Sequence, residues 1–393
     1  MAASDCARTI MSLPAGFAAA IAVCLCLGCS GPGTVMSSPQ GRGERLAQLL
    51  SFETRRQQTA IARRSLLYRE PQLEQYLERM VAGLMPDDGV EGVVPHVVLI
   101  SDSGQNAYSF PDGAIYIHTG LLSHLENEAE LALLLSHELA HVTRRHALRA
   151  LAAGPAETDE TIFDRTLSDS LAWFHELTAQ KEFAQPDAAR VSLRRSLEQE
   201  ADRVGLDMVI KAKYDPYEAL KIFEHLKEGN GSGAGGQRPA FLRQTLSPTH
   251  LPAGRSTDPT VFRNHLQDLL LEQGRLEVRH GRWDEALRCT RRLLRDSPNH
   301  ARGHFLLGEI LRQRNEAEEV PQALAHYFQA IAADPFLPEP YKAIGLIHLK
   351  KGQARLAKGF FESALALAPH AHDNDYIRSY LTQCITMIEG EDL

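Results

Sequence analysis

The sequence predicts an α+β, mainly α fold in two parts: a small antiparallel sheet leading into a buried helix, then an α-solenoid of repeated helix pairs. Three observations carry this. Two short runs of β-branched and aromatic residues, Val97 to Ile100 and Ala114 to Ile117, stand close together, the second just behind the turn signal Pro111-Asp112-Gly113. Apolar residues elsewhere fall at helical spacing. In the C-terminal third, small residues and prolines return at fixed intervals.

A chain of 393 residues is long enough for two or three domains and a sizeable core. Its 42 Lys+Arg against 50 Asp+Glu give a formal net charge of −8. That balance excludes a general nucleic-acid binder, which needs a basic stripe to neutralise phosphates. At the N-terminus an apolar run from Leu13 to Gly28 follows a polar start with the single arginine Arg8 and passes at Cys29 into a Gly/Ser/Pro-rich tail. The run is too short and ends too abruptly for a membrane span, so a signal peptide over residues 1–28 is expected. Leu25-Cys26-Leu27-Gly28-Cys29-Ser30 resembles the bacterial lipobox, with Cys26 where an aliphatic residue is usual. The resemblance implies a lipoprotein anchored through Cys29 by a flexible tether over residues 29–43. Ser30, which is not an aspartate, fits sorting to the outer membrane, on the periplasmic side of a bacterial envelope. Cys289 and Cys384 sit in helical patterns and read as buried thiols, with no disulfide framework.

From Glu44 to Leu84 the spacing of Leu46, Leu49, Leu50, Leu73, Tyr76, Leu77 and Met80 predicts two or three helices, interrupted at Glu70-Pro71. The two strands follow, and then a largely buried helix from about Asn127 to Arg149, carrying Leu131, Leu134, Leu135 and Leu139. Residues 151–190 read as one helix between polar loops. A helical period returns from Ser192 to Lys213, Asp215-Pro216-Tyr217 opens another helix, and residues 229–236 form a Gly-rich loop.

Gly308 recurs as Gly345; Ala286 as Ala323 and Ala357; Pro298 as Pro335 and Pro369. Small residues where two helices cross, and a proline that stops the second helix, are what stacked helix pairs need. The longer first interval falls in the stretch from Arg314 to Val320, a loop between helices where insertion is cheap. Asp373 to Ile388 is expected to cap the array. Residues 44–262 and 263–393 are therefore read as two folded domains.

The chemistry sits in His137-Glu138-Leu139-Ala140-His141. On a helix, positions i and i+4 share a face, so His137 and His141 can direct two imidazoles to one metal ion, with Glu138 beside them to reach a metal-bound water. Zinc needs a third protein ligand and an open fourth position. Glu198 and Glu200 are both candidates. Glu198 and Asp202 are again i and i+4, so that one can ligate while the other accepts a hydrogen bond from a ligand histidine.

Taken together, Asn106 to Leu122, His137 to His146, Glu198 to Gly205 and Tyr214-Asp215-Pro216 resemble the zinc metallopeptidase family that includes the CAAX prenyl protease and the mitochondrial inner-membrane stress protease. With a signal peptide ahead and a solenoid whose period resembles tetratricopeptide repeats behind, the chain looks most like the bacterial β-barrel assembly-enhancing protease-like lipoproteins. The resemblance implies a gluzincin-type domain with one Zn2+ per chain, held by His137, His141 and Glu198 in preference to Glu200. It implies Glu138 as the catalytic base and Asp202 behind a ligand. His146 and Arg145 are expected to pack or pair. Ser247-Pro-Thr-His250-Leu-Pro-Ala-Gly-Arg255 departs from the subgroup's pattern, with leucine in place of proline and the arginine one position closer. His250 is thus a candidate fourth, regulatory ligand.

The implied function is a metalloprotease of envelope protein quality control, cleaving unfolded or misassembled outer-membrane proteins by Glu-assisted attack of a zinc-bound water. Arg255, His250 and Tyr108 are candidates for stabilising the oxyanion. Asn106, Ala107, Tyr108, Ser109 and Phe110 resemble the family's edge strand, which holds substrate in extended form. The repeats are expected to bind substrate or the outer-membrane assembly machinery. The competing reading is a largely non-proteolytic chaperone or scaffold that works through the repeat surface, with a latent or plugged zinc site.

Overall fold

The structure, a computed structural model, describes residues 39–64, 67–86, 89, 93–153, 188–225, 237–246, 259–314 and 319–391. The chain divides into two units between Arg45 and Leu46, and residues 39–45, the described part of the first, are helical. The expected signal peptide, the lipobox with Cys29, the loop carrying His250 and Arg255, and most of the expected helix within 151–190 lie outside the described residues.

Helix α1 (Pro39–Arg63) begins inside the stretch expected to be a tether, with proline as its first residue. Proline suits that position because its missing N–H has no partner there in any case. The predicted interruption at Glu70-Pro71 is a helix cap: the Glu70 carboxylate accepts from the Leu73 N–H at 3.1 Å, and Pro71 opens α2 (Pro71–Leu84). Leu73, Tyr76, Leu77, Met80, Val81 and Leu84 make its buried face.

Between and behind these helices lies a four-stranded sheet: β1 (Leu67–Tyr68), β2 (His96–Ile100), β3 (Ala107–Ser109) and β4 (Ala114–His118), in the order β1-β2-β4-β3. The sheet is mixed, which corrects the expectation of an antiparallel one. β3 and β4 form an antiparallel hairpin, but β2 and β4 run parallel, in the register Val98↔Tyr116. The cause is the crossing segment Ser101 to Asn106, which carries the chain past β4's place to the far edge before it turns back. Asp102 shapes that segment, accepting from Gly104 N and facing His118 Nδ1 at 3.0 Å.

Both faces of the sheet are covered, so all five residues of β4 are buried. Leu99, Ile115 and Ile117 point into the main core with α2, while Ile100, Tyr108, Phe110 and Tyr116 form a second cluster with Leu50 and Leu151. After β4 come α3 (Thr119–Leu122) and α4 (Glu128–Thr143); Asn127 caps α4 by accepting from Glu130 N. The helix expected to run on to Arg149 is broken. Arg145 takes left-handed angles, φ 50° and ψ 43°, and α5 (His146–Ala152) starts beyond it. Next follow α6 (Ala188–Lys211), the short α7 (Pro216–Ala219) and α8 (Ile222–His225), α9 (Gln237–Thr245) and α10 (Pro259–His265).

The repeat region consists of three helix pairs, α11 (Gln267–Arg279) with α12 (Trp283–Asp296), α13 (Ala301–Arg314) with α14 (Glu319–Ala333), and α15 (Pro338–Lys350) with α16 (Ala354–Leu367), followed by α17 (Asn374–Glu391). The recurring residues have physical roles. A β-carbon on Gly308 would stand 2.5 Å from the Tyr327 ring, and one on Gly345 would stand 2.6 Å from the Phe361 ring. Each glycine therefore admits the aromatic side chain of its partner helix. Ala286, Ala323 and Ala357 are fully buried. Pro298, Pro335 and Pro369 each stand two residues beyond the end of a second helix. Cys289 and Cys384 are buried free thiols.

The first helix pair is joined to the segment that leads into α4. Arg288 and Arg292 each donate to the Ser123 carbonyl at 2.8 Å, and Arg292 also donates to the Leu125 carbonyl. These charged donors satisfy carbonyls of the turn between α3 and α4. The main core runs on through the same junction, from Leu73 to Ile347.

Candidate metal centre

His137, Glu138 and His141 occupy the second half of α4, and α6 crosses them at its own middle. The crossing is tight because residue 205 is glycine: a β-carbon there would lie 3.0 Å from His137 N and 3.1 Å from Ser136 C. Asp202 and Glu198 are three and seven positions before Gly205, on the same face of α6, so the close approach brings both carboxylates to the histidines.

His137 Nε2 and His141 Nε2 are 3.1 Å apart. Glu198 Oε2 is 3.5 Å from His137 Nε2, and Glu198 Oε1 is 3.7 Å from His141 Nε2. Tetrahedral zinc, with bonds near 2.0–2.1 Å, sets its donor atoms about 3.3 Å apart. The two imidazoles are at that spacing, Glu198 brings one oxygen near each, and with one donor from each residue all within 4.8 Å of one another, His137, His141 and Glu198 form a potential zinc-binding site. On the far side of His137, Asp202 Oδ1 lies 3.0 Å from Nδ1. A carboxylate there favours the tautomer with its proton on Nδ1, which leaves the Nε2 lone pair for the site. Glu138 is 4 % exposed, and its backbone carbonyl accepts from Ser109 Oγ at 3.1 Å. The arrangement offers two histidines and an acid to a metal, and a second acid, Glu138, stands next to His137 in the chain.

The other predicted residues are distributed as follows. Glu200, the alternative ligand, turns away to Arg149 Nη1 at 2.9 Å and His146 Nε2 at 3.6 Å. Tyr108 is removed from the oxyanion candidates. It is fully buried, stacked on Tyr116 and edge-on to Phe110, on the sheet face opposite the one from which Ser109 reaches α4. Arg255 and His250 lie outside the described residues. Of the expected edge segment, Ala107 to Ser109 form β3; it is an edge strand, and among the described residues it pairs only with β4. His118 N bonds to Asn106 O and Phe110 N to Ala114 O, so the alternation of the ladder points the N–H and C=O groups of Ala107 and Ser109 outward.

His146, expected from the sequence only to pack or pair, lies against a candidate ligand. It is 3 % exposed, and its Nδ1 lies 3.1 Å from His141 Nδ1. No spacing rule points to it, because the break at Arg145 decides where it goes.

Burial, aided by the neighbouring His137 imidazole, pushes His141 down to about 3, so the neutral ring that ligates metal is the form present. Burial also lowers His146, against the pull of Glu200. For Glu200, burial by itself acts upward, but the hydrogen bond and charge of Arg149 outweigh it and hold the carboxyl below the ordinary range.

Comparison with known proteins agrees with this geometry. The model of Peptidase family M48 matches residues 71–266, and a tetratricopeptide repeat model matches residues 271–338. The chain is similar to the β-barrel assembly-enhancing protease of Escherichia coli strain K12, 26% identical over 221 residues that cover 52% of this chain and 42% of that protein. The protein of the same name from Yersinia pestis is 30% identical over 169 residues, covering 42% of this chain and 34% of the relative. The mitochondrial metalloendopeptidase OMA1 of Arabidopsis thaliana is 28% identical over 155 residues, covering 37% and 28%. The chain spans less than half the length of these curated relatives.

Proposed function

Since the chain belongs to peptidase family M48 and carries tetratricopeptide repeats behind its peptidase domain, we propose that it is a zinc-dependent endopeptidase of the bacterial envelope that cleaves unfolded or misassembled outer-membrane proteins. The observation that carries this reading is the convergence of His137, His141 and Glu198 beside Glu138, with an open strand edge running along the same helix. The names of the bacterial relatives, β-barrel assembly-enhancing proteases, supply the class of substrate.

His137, His141 and Glu198 would hold the zinc, which would supply Lewis-acid chemistry for the scissile carbonyl and the attacking water. Glu138 takes the proton of the attacking water and returns it to the leaving amine. Asp202 holds His137 in its ligating tautomer. An extended substrate segment pairs with the outward N–H and C=O groups of Ala107 and Ser109, which restricts cleavage to chains that are unfolded or locally extended. Ser109, bonded to the Glu138 carbonyl, sets the distance between that strand and the base. Arg255 and His250 are the candidates for the oxyanion donor, and His250 also for a regulatory fourth ligand.

In this reading residues 44–262 are the peptidase domain, and the repeats of 263–393 receive substrate or the outer-membrane assembly machinery. Cys29 carries the lipid that anchors the chain to the outer membrane, on its periplasmic side. Among the described residues no helix is long and apolar enough to cross a membrane.

The test is degradation of an unfolded barrel protein by the purified chain, before and after a chelator, with zinc added back. Cleavage that stops with chelator and returns with zinc is expected. Cleavage indifferent to the chelator contradicts the reading.

A further inference from the structure

We infer that His146 is a positioning residue for His141, fixing that imidazole in the tautomer that turns the Nε2 lone pair to the metal, and that Glu200 and Arg149 hold His146 in place. This inference rests on the peptidase reading, because it needs His141 to be a ligand.

The geometry gives the chain of contacts a direction. His146 Nδ1 and His141 Nδ1 are 3.1 Å apart with their rings at 90°, so one nitrogen donates and the other accepts. On its far side, His146 Nε2 faces Glu200 Oε2 at 3.6 Å, and Arg149 Nη1 donates to the same oxygen at 2.9 Å. At 3.6 Å the carboxylate is beyond hydrogen-bond reach, but its negative charge favours the proton on His146 Nε2. His146 Nδ1 is then the acceptor, and His141 Nδ1 the donor. The lone pair of His141 Nε2 is thereby directed toward His137 Nε2 and Glu198. Asp202 does the same for His137 directly, at 3.0 Å. The two metal-binding rings are thus steered from different helices, one by a carboxylate and one through a second imidazole.

A second observation points the same way. On an unbroken helix, position 146 would be turned about 140° from position 141 and would face away from it. The left-handed turn at Arg145, φ 50° and ψ 43°, interrupts the helix and brings His146 back beneath His141, where it is buried. Such a conformation is disfavoured for a residue with a side chain, and strain of this kind gathers where a site demands a placement.

The experiment is zinc affinity by chelator competition for wild type, His146→Ala, His146→Asn and Glu200→Gln, with the melting temperature of each metal-free protein measured alongside. His146→Ala is expected to bind zinc about 10–100-fold more weakly. His146→Asn, whose amide oxygen can accept from His141 Nδ1, recovers most of that loss, and Glu200→Gln falls between. Wild-type affinity in His146→Ala overturns the inference. So does an asparagine variant that binds as weakly as the alanine variant while its metal-free form melts with wild type, since the role would then be packing. A wild-type chain that binds zinc and cleaves, beside an equally tight alanine variant, removes this inference alone; a wild-type chain that binds no zinc removes the reading beneath it.

Discussion

Gly205 lies against the backbone of His137 so closely that a β-carbon on it would stand 3.0 Å from the histidine nitrogen. The obstacle is main chain, which cannot rotate aside as a side chain can. Gly205→Ala is therefore expected to push α6 from α4 by a few tenths of an ångström and to lower stability by about 1–3 kcal/mol. Because Asp202 and Glu198 share that face, zinc affinity should fall as well. Chemical denaturation and chelator competition on the same variant check both effects. Unchanged zinc binding would mean that the helix contact does not set the site.

Glu198 and Glu200 are two residues apart but belong to different structures. Glu198 meets both histidines, whereas Glu200 pairs with Arg149. Glu198→Ala is expected to abolish tight zinc binding, and Glu200→Ala to weaken it while leaving a measurable site. Metal content after gel filtration distinguishes them, and the reverse order would reassign the third ligand.

Much of this site was legible because its parts are local. The i and i+4 spacings of His137 with His141 and of Glu198 with Asp202 each place a pair on one helix face, whatever the rest of the fold does. What joins the pairs is not local. Nothing in a linear spacing shows that Gly205 sets the distance between α4 and α6, or that a left-handed Arg145 returns His146 to His141. The sheet follows the same rule. β2 and β4 are readable from their residues, but their parallel pairing depends on where the chain crosses between Ser101 and Asn106. Tyr108 stood among the oxyanion candidates for a related reason: alternation along β3 sends neighbours to opposite faces, and only the fold says which face meets α4. The repeats were legible because Gly308 and Gly345 meet Tyr327 and Phe361 at corresponding places in successive pairs.

If substrate adds to the edge of β3, a proline at an outward-facing position should block it without breaking the ladder to β4. Ala107→Pro is expected to raise KM for an unfolded substrate about tenfold or more, the loss of one or two main-chain hydrogen bonds with a new steric barrier, at unchanged zinc content. Steady-state kinetics and metal analysis check it. An unaltered KM would place substrate elsewhere.

The repeats carry a stability prediction. A methyl group on Gly308 would collide with the Tyr327 ring at 2.5 Å. Gly308→Ala is expected to cost about 1–3 kcal/mol, and pairing it with Tyr327→Leu should restore part of the loss. A thermodynamic cycle of the two single variants and the double variant measures the coupling. Strict additivity would show that the contact carries no energy.

The central claim is that Glu138 moves protons beside a metal it does not hold. Its most direct test compares wild type with Glu138→Gln for bound zinc and for the rate of cleaving an unfolded protein. One zinc per chain in both, with the rate lowered about 10²–10⁴-fold in the variant, is the result predicted. Cleavage by Glu138→Gln at the wild-type rate, with its zinc in place, would contradict it.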